Sequence, residues 1–139
     1  MKRLTSILLC ALAAACTRTE ASSTVPPSPG VKVEVVSKKP MESADGEIFV
    51  RFRVANGGKD GIAYRGWAEY SPAYQVEVQQ DDAWVAYQVG WCGTGLADFT
   101  LQPGAEMAFD VGLPADGKTY RASFGDPPVV TPPVVAETP

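Results

Sequence analysis

IFVRFRVANGG, residues 48–58, carries the clearest sign of how this chain folds. Ile48, Val50, Phe52 and Val54 alternate with Phe49, Arg51, Arg53 and Ala55. Side chains of a strand point to opposite faces in turn, so period two is the mark of a strand with one apolar face. Asn56-Gly57-Gly58 then supplies turn chemistry, because these residues accept backbone conformations that end a strand.

The same alternation recurs on both sides. Val31, Val33 and Val35 precede it, interleaved with Lys32 and Glu34. Tyr74, Val76 and Val78 follow, then Val85, Tyr87 and Val89 across a turn at Gln80-Asp81-Asp82. Phe99 and Leu101 share a face, as do Met107, Phe109 and Val111, and Tyr120, Ala122 and Phe124 close the series. Asp45-Gly46, Pro103-Gly104 and Asp116-Gly117 separate the runs. No stretch carries a helical period. Seven or eight short strands, each with one apolar face, predict an all-β chain: a single antiparallel β-sandwich over residues 31–125, in which two stacked sheets bury those faces.

Residues 17–30 are rich in Ser, Thr and Pro, which predicts a disordered tether. Residues 126–139 repeat PPVV on either side of Thr131 and read as a Pro-rich, solvated tail, or as a strip that docks on a partner.

The N-terminus has a different character. Met1-Lys2-Arg3 is followed by the uncharged, mostly apolar Leu4–Ala15, the pattern of a secretory signal peptide. At about twelve residues the run falls short of the about 20 that span a bilayer. Leu12-Ala13-Ala14-Ala15-Cys16 resembles the lipobox of bacterial lipoproteins, departing from it at Ala13, where Leu is commoner. The resemblance implies cleavage before Cys16, lipidation of its thiol and a membrane anchor. Thr17 stands where, in Gram-negative lipoproteins, an Asp would mark inner-membrane retention, so the resemblance implies the outer membrane if the host has one. The alternative is ordinary cleavage after Ala-x-Ala, with Cys16 a free thiol.

Loss of residues 1–15 removes Lys2 and Arg3, leaving ten basic against 16 acidic residues, a net charge of −6. Such a balance argues against a nucleic-acid partner. The sequence has no histidine, which excludes Ser-His-Asp and Cys-His catalysis and His-ligated metals. No catalytic set, metal site or cofactor is predicted, and the chain is read as a non-enzyme. Acidic residues at the turns match no calcium-loop spacing. With Cys10 in the leader and Cys16 lipidated, Cys92 has no intramolecular partner.

Within the domain, FRVANGG, FTLQPGAEMAFDVGLP and YRASF resemble immunoglobulin-like modules of bacterial envelope proteins, and the N-G…L-x-PG rhythm is similar to small proteinase-inhibitor sandwiches. The antibody Cys…Trp…Cys pattern is absent. The aromatic group Tyr64, Trp67, Tyr70, Tyr74, Trp84, Tyr87 and Trp91 is dense for one small domain. Trp84 or Tyr87 suits the core, and strand parity does not settle which. Trp67 and Tyr70, in the irregular stretch 66–72, suit an exposed surface with Tyr74, Trp91 and Cys92. Cys92, in a Trp91-Cys92 pair flanked by Gly90 and Gly93, is either a buried small hydrophobe or an accessible thiol. The expectation is a lipid-anchored module that contacts another envelope or surface protein, with glycan binding through aromatics or protease inhibition as alternatives.

Overall fold

The computed structural model describes residues 28–42, 46–87 and 93–137. These residues form strands and turns and no helix. The strands are β1 (Val31–Pro40), β2 (Glu47–Asn56), β3 (Ile62–Ala68), β4 (Ser71–Pro72), β5 (Gln75–Gln80), β6 (Ala83–Tyr87), β7 (Ala97–Leu101), β8 (Glu106–Pro114), β9 (Thr119–Phe124), β10 (Val129–Val130) and β11 (Val134–Val135). Every pairing is antiparallel. One sheet has the order β1-β2-β8, a second β10-β9-β5-β6 with β11 also on β9, and a third β4-β3-β7.

The core forms where the apolar faces meet. Ile48, Val50, Phe52 and Val54 of β2 lie beside Leu113, Val111, Phe109 and Met107 of β8, all buried. The ring of Phe109 stands edge-on to Phe124 of β9 at 5.2 Å, and Phe124 in turn meets Tyr64 of β3 at 6.1 Å. Rings from all three sheets therefore touch in one apolar interior, and burying them is the main stabilising contribution.

Asn56 ends β2 inside this core, 1% exposed. Its Nδ2 donates to the carbonyls of Asp60 and Leu101, both at 2.9 Å, and its Oδ1 accepts the Gly58 N–H at 3.1 Å. A buried amide is tolerated because each polar atom is paired.

Two sequence boundaries shift. The tether was predicted to run to residue 30, but the Gly30 carbonyl accepts the Gly57 N–H at 2.9 Å and Ser28 hydrogen-bonds Pro128. Gly30 has φ +81° with Gly58 so close that a Cβ would clash, so residues 28–30 belong to the domain.

The segment 126–137, read from sequence as a solvated tail, is packed along β9. Val129, Thr131, Val134 and Ala136 are buried. Val129 and Val134 lie five positions apart, which in a regular strand would face opposite sides. Between Val130↔Ser123 and Val134↔Tyr120 the chain spends four steps against three on β9. That extra residue is a bulge, and it returns Val134 to the inner face. Pro132 and Pro133 sit where no N–H is needed. Thr131 completes the join: its N–H reaches the Ala122 carbonyl at 2.8 Å and its Oγ1 accepts the Ala122 N–H at 2.9 Å. Thr131→Val keeps the shape and removes that acceptor, so a loss of about 1–3 kcal/mol is expected. Urea unfolding of the two chains reads it directly.

A strand missing from the sequence expectation is β3, with its partner β4. By sequence the stretch 66–72 is irregular. Ile62, Tyr64 and Gly66 do alternate inward, but glycine hides the third position. It is glycine because the Ser71 carbonyl lies against it, leaving no room for a Cβ. β6 departs in the other direction: Trp84 is half-buried and Tyr87 exposed, so neither fills the core as expected.

Candidate functional site

The β3–β4 hairpin turns on two residues, Glu69 and Tyr70, between Ala68 and its partner Ser71. Tyr70 has φ +71°, the left-handed region that glycine or asparagine normally supplies. For a bulky side chain this costs about 1–2 kcal/mol. The backbone is held there by Tyr64, whose hydroxyl accepts the Tyr70 N–H at 3.2 Å. Tyr64 is fixed in turn by Phe99, stacked at 5.7 Å, and by Phe124. Burial, with Glu69 and Tyr70 adding to it, pushes the Tyr64 hydroxyl above the ordinary tyrosine range, so it stays a neutral phenol. The outcome is an aromatic ring, half exposed, at the tip of a hairpin whose root lies in the core.

The remaining sequence-predicted residues divide. Trp67, half-buried, stands on β3 just before this tip. Tyr74 is a strut rather than a surface group: its hydroxyl accepts the Gly112 N–H at 3.2 Å and its ring meets Phe109 at 5.9 Å. Burial raises its pKa. Cys16, Trp91 and Cys92 lie outside the described residues. After Cys92 the chain returns to the third sheet with Ala97 paired to Gly66, at the base of the same hairpin.

A furrow of about 440 Å³, of which the sequence pattern carries no sign, lies where the third sheet meets the second. Its lining includes Ala63, Ala73 and Gly125, with Arg65, Asp98 and Asp126 as its charged groups. Small side chains create the hollow, and a sequence pattern does not display missing volume. The Asp126 N–H to Ala63 carbonyl bond, 2.8 Å, stitches the two sheets together there. Arg65 and Asp98 are 3.7 Å apart and largely exposed, a weak pair.

On the outer face of the second sheet, Arg121 is held at 2.6 Å by Glu77 and lies 4.3 Å over the Trp84 ring. The pleat puts Trp84, opposite Gln79, on this outer face, and there the Arg121 cation covers its ring. Across the domain, Tyr120 donates its hydroxyl proton to Asp116 at 3.0 Å. Burial and then the Asp116 charge hold the Tyr120 phenol well above its ordinary pKa. Among the described residues no group of three His, Cys, Asp or Glu side chains converges to hold a metal.

No family model, no curated protein and no solved structure matches this chain.

Proposed function

We propose that the chain is an exported lipoprotein, anchored through Cys16, whose immunoglobulin-like sandwich of seven or eight principal strands is a non-enzymatic contact module of the cell envelope. It engages a surface or envelope protein through the Trp67–Tyr70 hairpin. The observation that carries the contact site is the Tyr70 backbone: a half-exposed aromatic held at φ +71° by a hydrogen bond from its own N–H to a core tyrosine. Strain of this kind persists where the side chain's position matters more than local stability. Exposed tyrosine and tryptophan are the side chains that anchor protein interfaces.

The geometry supports an orientation. Asn56 is paired with Val31, at the end of the domain where the tether enters, and bonds Leu101, opposite Ile62 at the start of β3. β3 runs from there for seven residues, about 20 Å, so the hairpin tip is carried away from the tether. The anchor itself is supported by the Lys2-Arg3 charges, the apolar run and Leu12–Cys16.

Two measurements test this reading. Mass spectrometry of the chain from its host is expected to find an acylated N-terminal Cys16; an unacylated chain, or one starting elsewhere, removes the anchor. Crosslinking pull-down is expected to recover an envelope protein with the parent and at least tenfold less with Tyr70→Gly, which relieves the strain and deletes the ring. Equal recovery sinks the hairpin as the contact. Loss of a glycan-dependent fluorescence change instead would favour sugar binding.

A further inference from the structure

The sheet edges of this domain are not equally protected. β1 has a bulge between Val35 and Ser37, ends in Pro40, and turns Lys38 toward β11, where its Nζ donates to the Val135 carbonyl at 2.8 Å. β8 has its Gly112 N–H covered by the Tyr74 hydroxyl. The β10–β11 side carries Pro127, Pro128, Pro132 and Pro133. Charges, prolines and bulges of these kinds stop an edge from pairing with another chain.

β6 has none of them. Its sequence is Ala83-Trp84-Val85-Ala86-Tyr87, without charge, proline or glycine. It pairs with β5 in unbroken register, and among the described residues no strand pairs with its other edge. Val85 and Tyr87 share a face with their partners Val78 and Val76. Val78 and Val76 are buried, whereas Val85 is 40% and Tyr87 37% exposed. The apolar layer of the core thus continues past the last strand.

The strand is also complementary to itself. Laid antiparallel on a second copy with Val85 at the two-fold axis, Ala83 falls opposite Tyr87 and Trp84 opposite Ala86. Each large side chain meets a small one, on both faces of the sheet. No charge opposes a like charge, since β6 carries none and Arg121 beneath Trp84 is already paired with Glu77. An isologous two-fold contact requires this kind of self-complementarity.

We propose that two copies of this chain associate through β6, joining their second sheets into one continuous sheet across a two-fold axis. The strand is short, so the contact is small and the dimer weak, of the class that buries less than about 1,200 Å². Confinement of both copies to one membrane would raise its occupancy. The proposal does not depend on what the Tyr70 hairpin binds.

Sedimentation equilibrium of the full chain in excess detergent, over a wide range of micromolar concentrations, provides the test. A reversible monomer–dimer equilibrium is expected. Val85→Lys, at an exposed position, places two ammonium groups across the axis and should raise the dimer Kd at least tenfold without altering the circular dichroism. In a Cys92→Ser background, Val85→Cys should form a disulfide-linked dimer on mild oxidation, while Gln79→Cys on the inner neighbouring strand should not. A chain that stays monomeric throughout, a Val85→Lys chain that dimerises as well as the parent, or equal crosslinking at Gln79 overturns the proposal. So does a monomer whose β6 takes up an unrelated extended peptide.

Discussion

A chain ended at Gly125 should fail to unfold cooperatively. This is the boundary that the Pro-rich composition of residues 126–139 suggests, and the structure makes it a deep cut. Removal of residues 126–139 takes away Val129, Val134 and Ala136 from the core, together with Thr131. A fully buried valine contributes about 1.5–3 kcal/mol by transfer alone, so the two valines account for about 3–6 kcal/mol. The cut also frees the outer edge of β9, deprives the Ala122 N–H of Thr131 Oγ1, and removes the Asp126 link to Ala63. Domains of this size have about 5–15 kcal/mol in total. Near-ultraviolet circular dichroism should be lost, and the exposed β9 edge should promote aggregation. A truncated chain with a sharp thermal transition within a few degrees of the parent would show that the segment is dispensable.

Asn56→Asp is the point substitution expected to cost most. It changes one NH₂ to an oxygen with almost no change of shape. In the parent, that NH₂ gives both its protons to the carbonyls of Asp60 and Leu101. An aspartate would set a buried oxygen against two carbonyl oxygens, and protonation could restore only one of the two bonds. A loss of about 3 kcal/mol or more at pH 7 is expected, as for other broken buried networks. The sign of its pH dependence follows from burial. The introduced carboxyl would have a folded pKa above its unfolded value of about 3.9, so the folded state would bind the proton more tightly. Its deficit should therefore be smallest below about pH 4 and grow as pH rises toward the folded pKa. Asn56→Ala, which introduces no titrating group, should give a smaller loss that does not vary with pH in this way. Chemical denaturation at pH 4 and pH 7 separates the two, and an Asn56→Asp chain as stable as the parent at pH 7 would remove Asn56 as the tie between β2, β7 and the 57–61 turn.

The hairpin was partly legible. Tyr70 and Trp67 stood out because aromatic residues fall among turn formers, yet the strand beneath them did not, since Gly66 interrupts the apolar alternation. Tyr74 looked equivalent to Tyr70 in sequence. What separates them is the Gly112 N–H, 38 positions away, which turns one tyrosine inward. The furrow at Ala63, Ala73 and Gly125 had no sequence signal, because three small residues from distant segments form it.

The chain's local pattern settles which residues of β2, β5, β8 and β9 face inward. Alternation is a local property: once a segment is extended, the pleat assigns Ile48, Phe52, Val76, Phe109 and Tyr120 to one side, and that side is apolar. It also determined the all-β class, through turn residues such as Gly104 and Gly117, both at positive φ. Which apolar faces are covered depends instead on the assembled fold. Val85 and Tyr87 alternate as cleanly as Val76 and Val78, but they lie on a last strand that has β5 on one edge and, among the described residues, no strand on the other. Val129 and Val134 carry a spacing and prolines that argue against a strand, but β9 offers an unfilled edge and a bulge corrects their phase. Burial belongs to pairs of segments, and a pattern within one segment does not contain its partner.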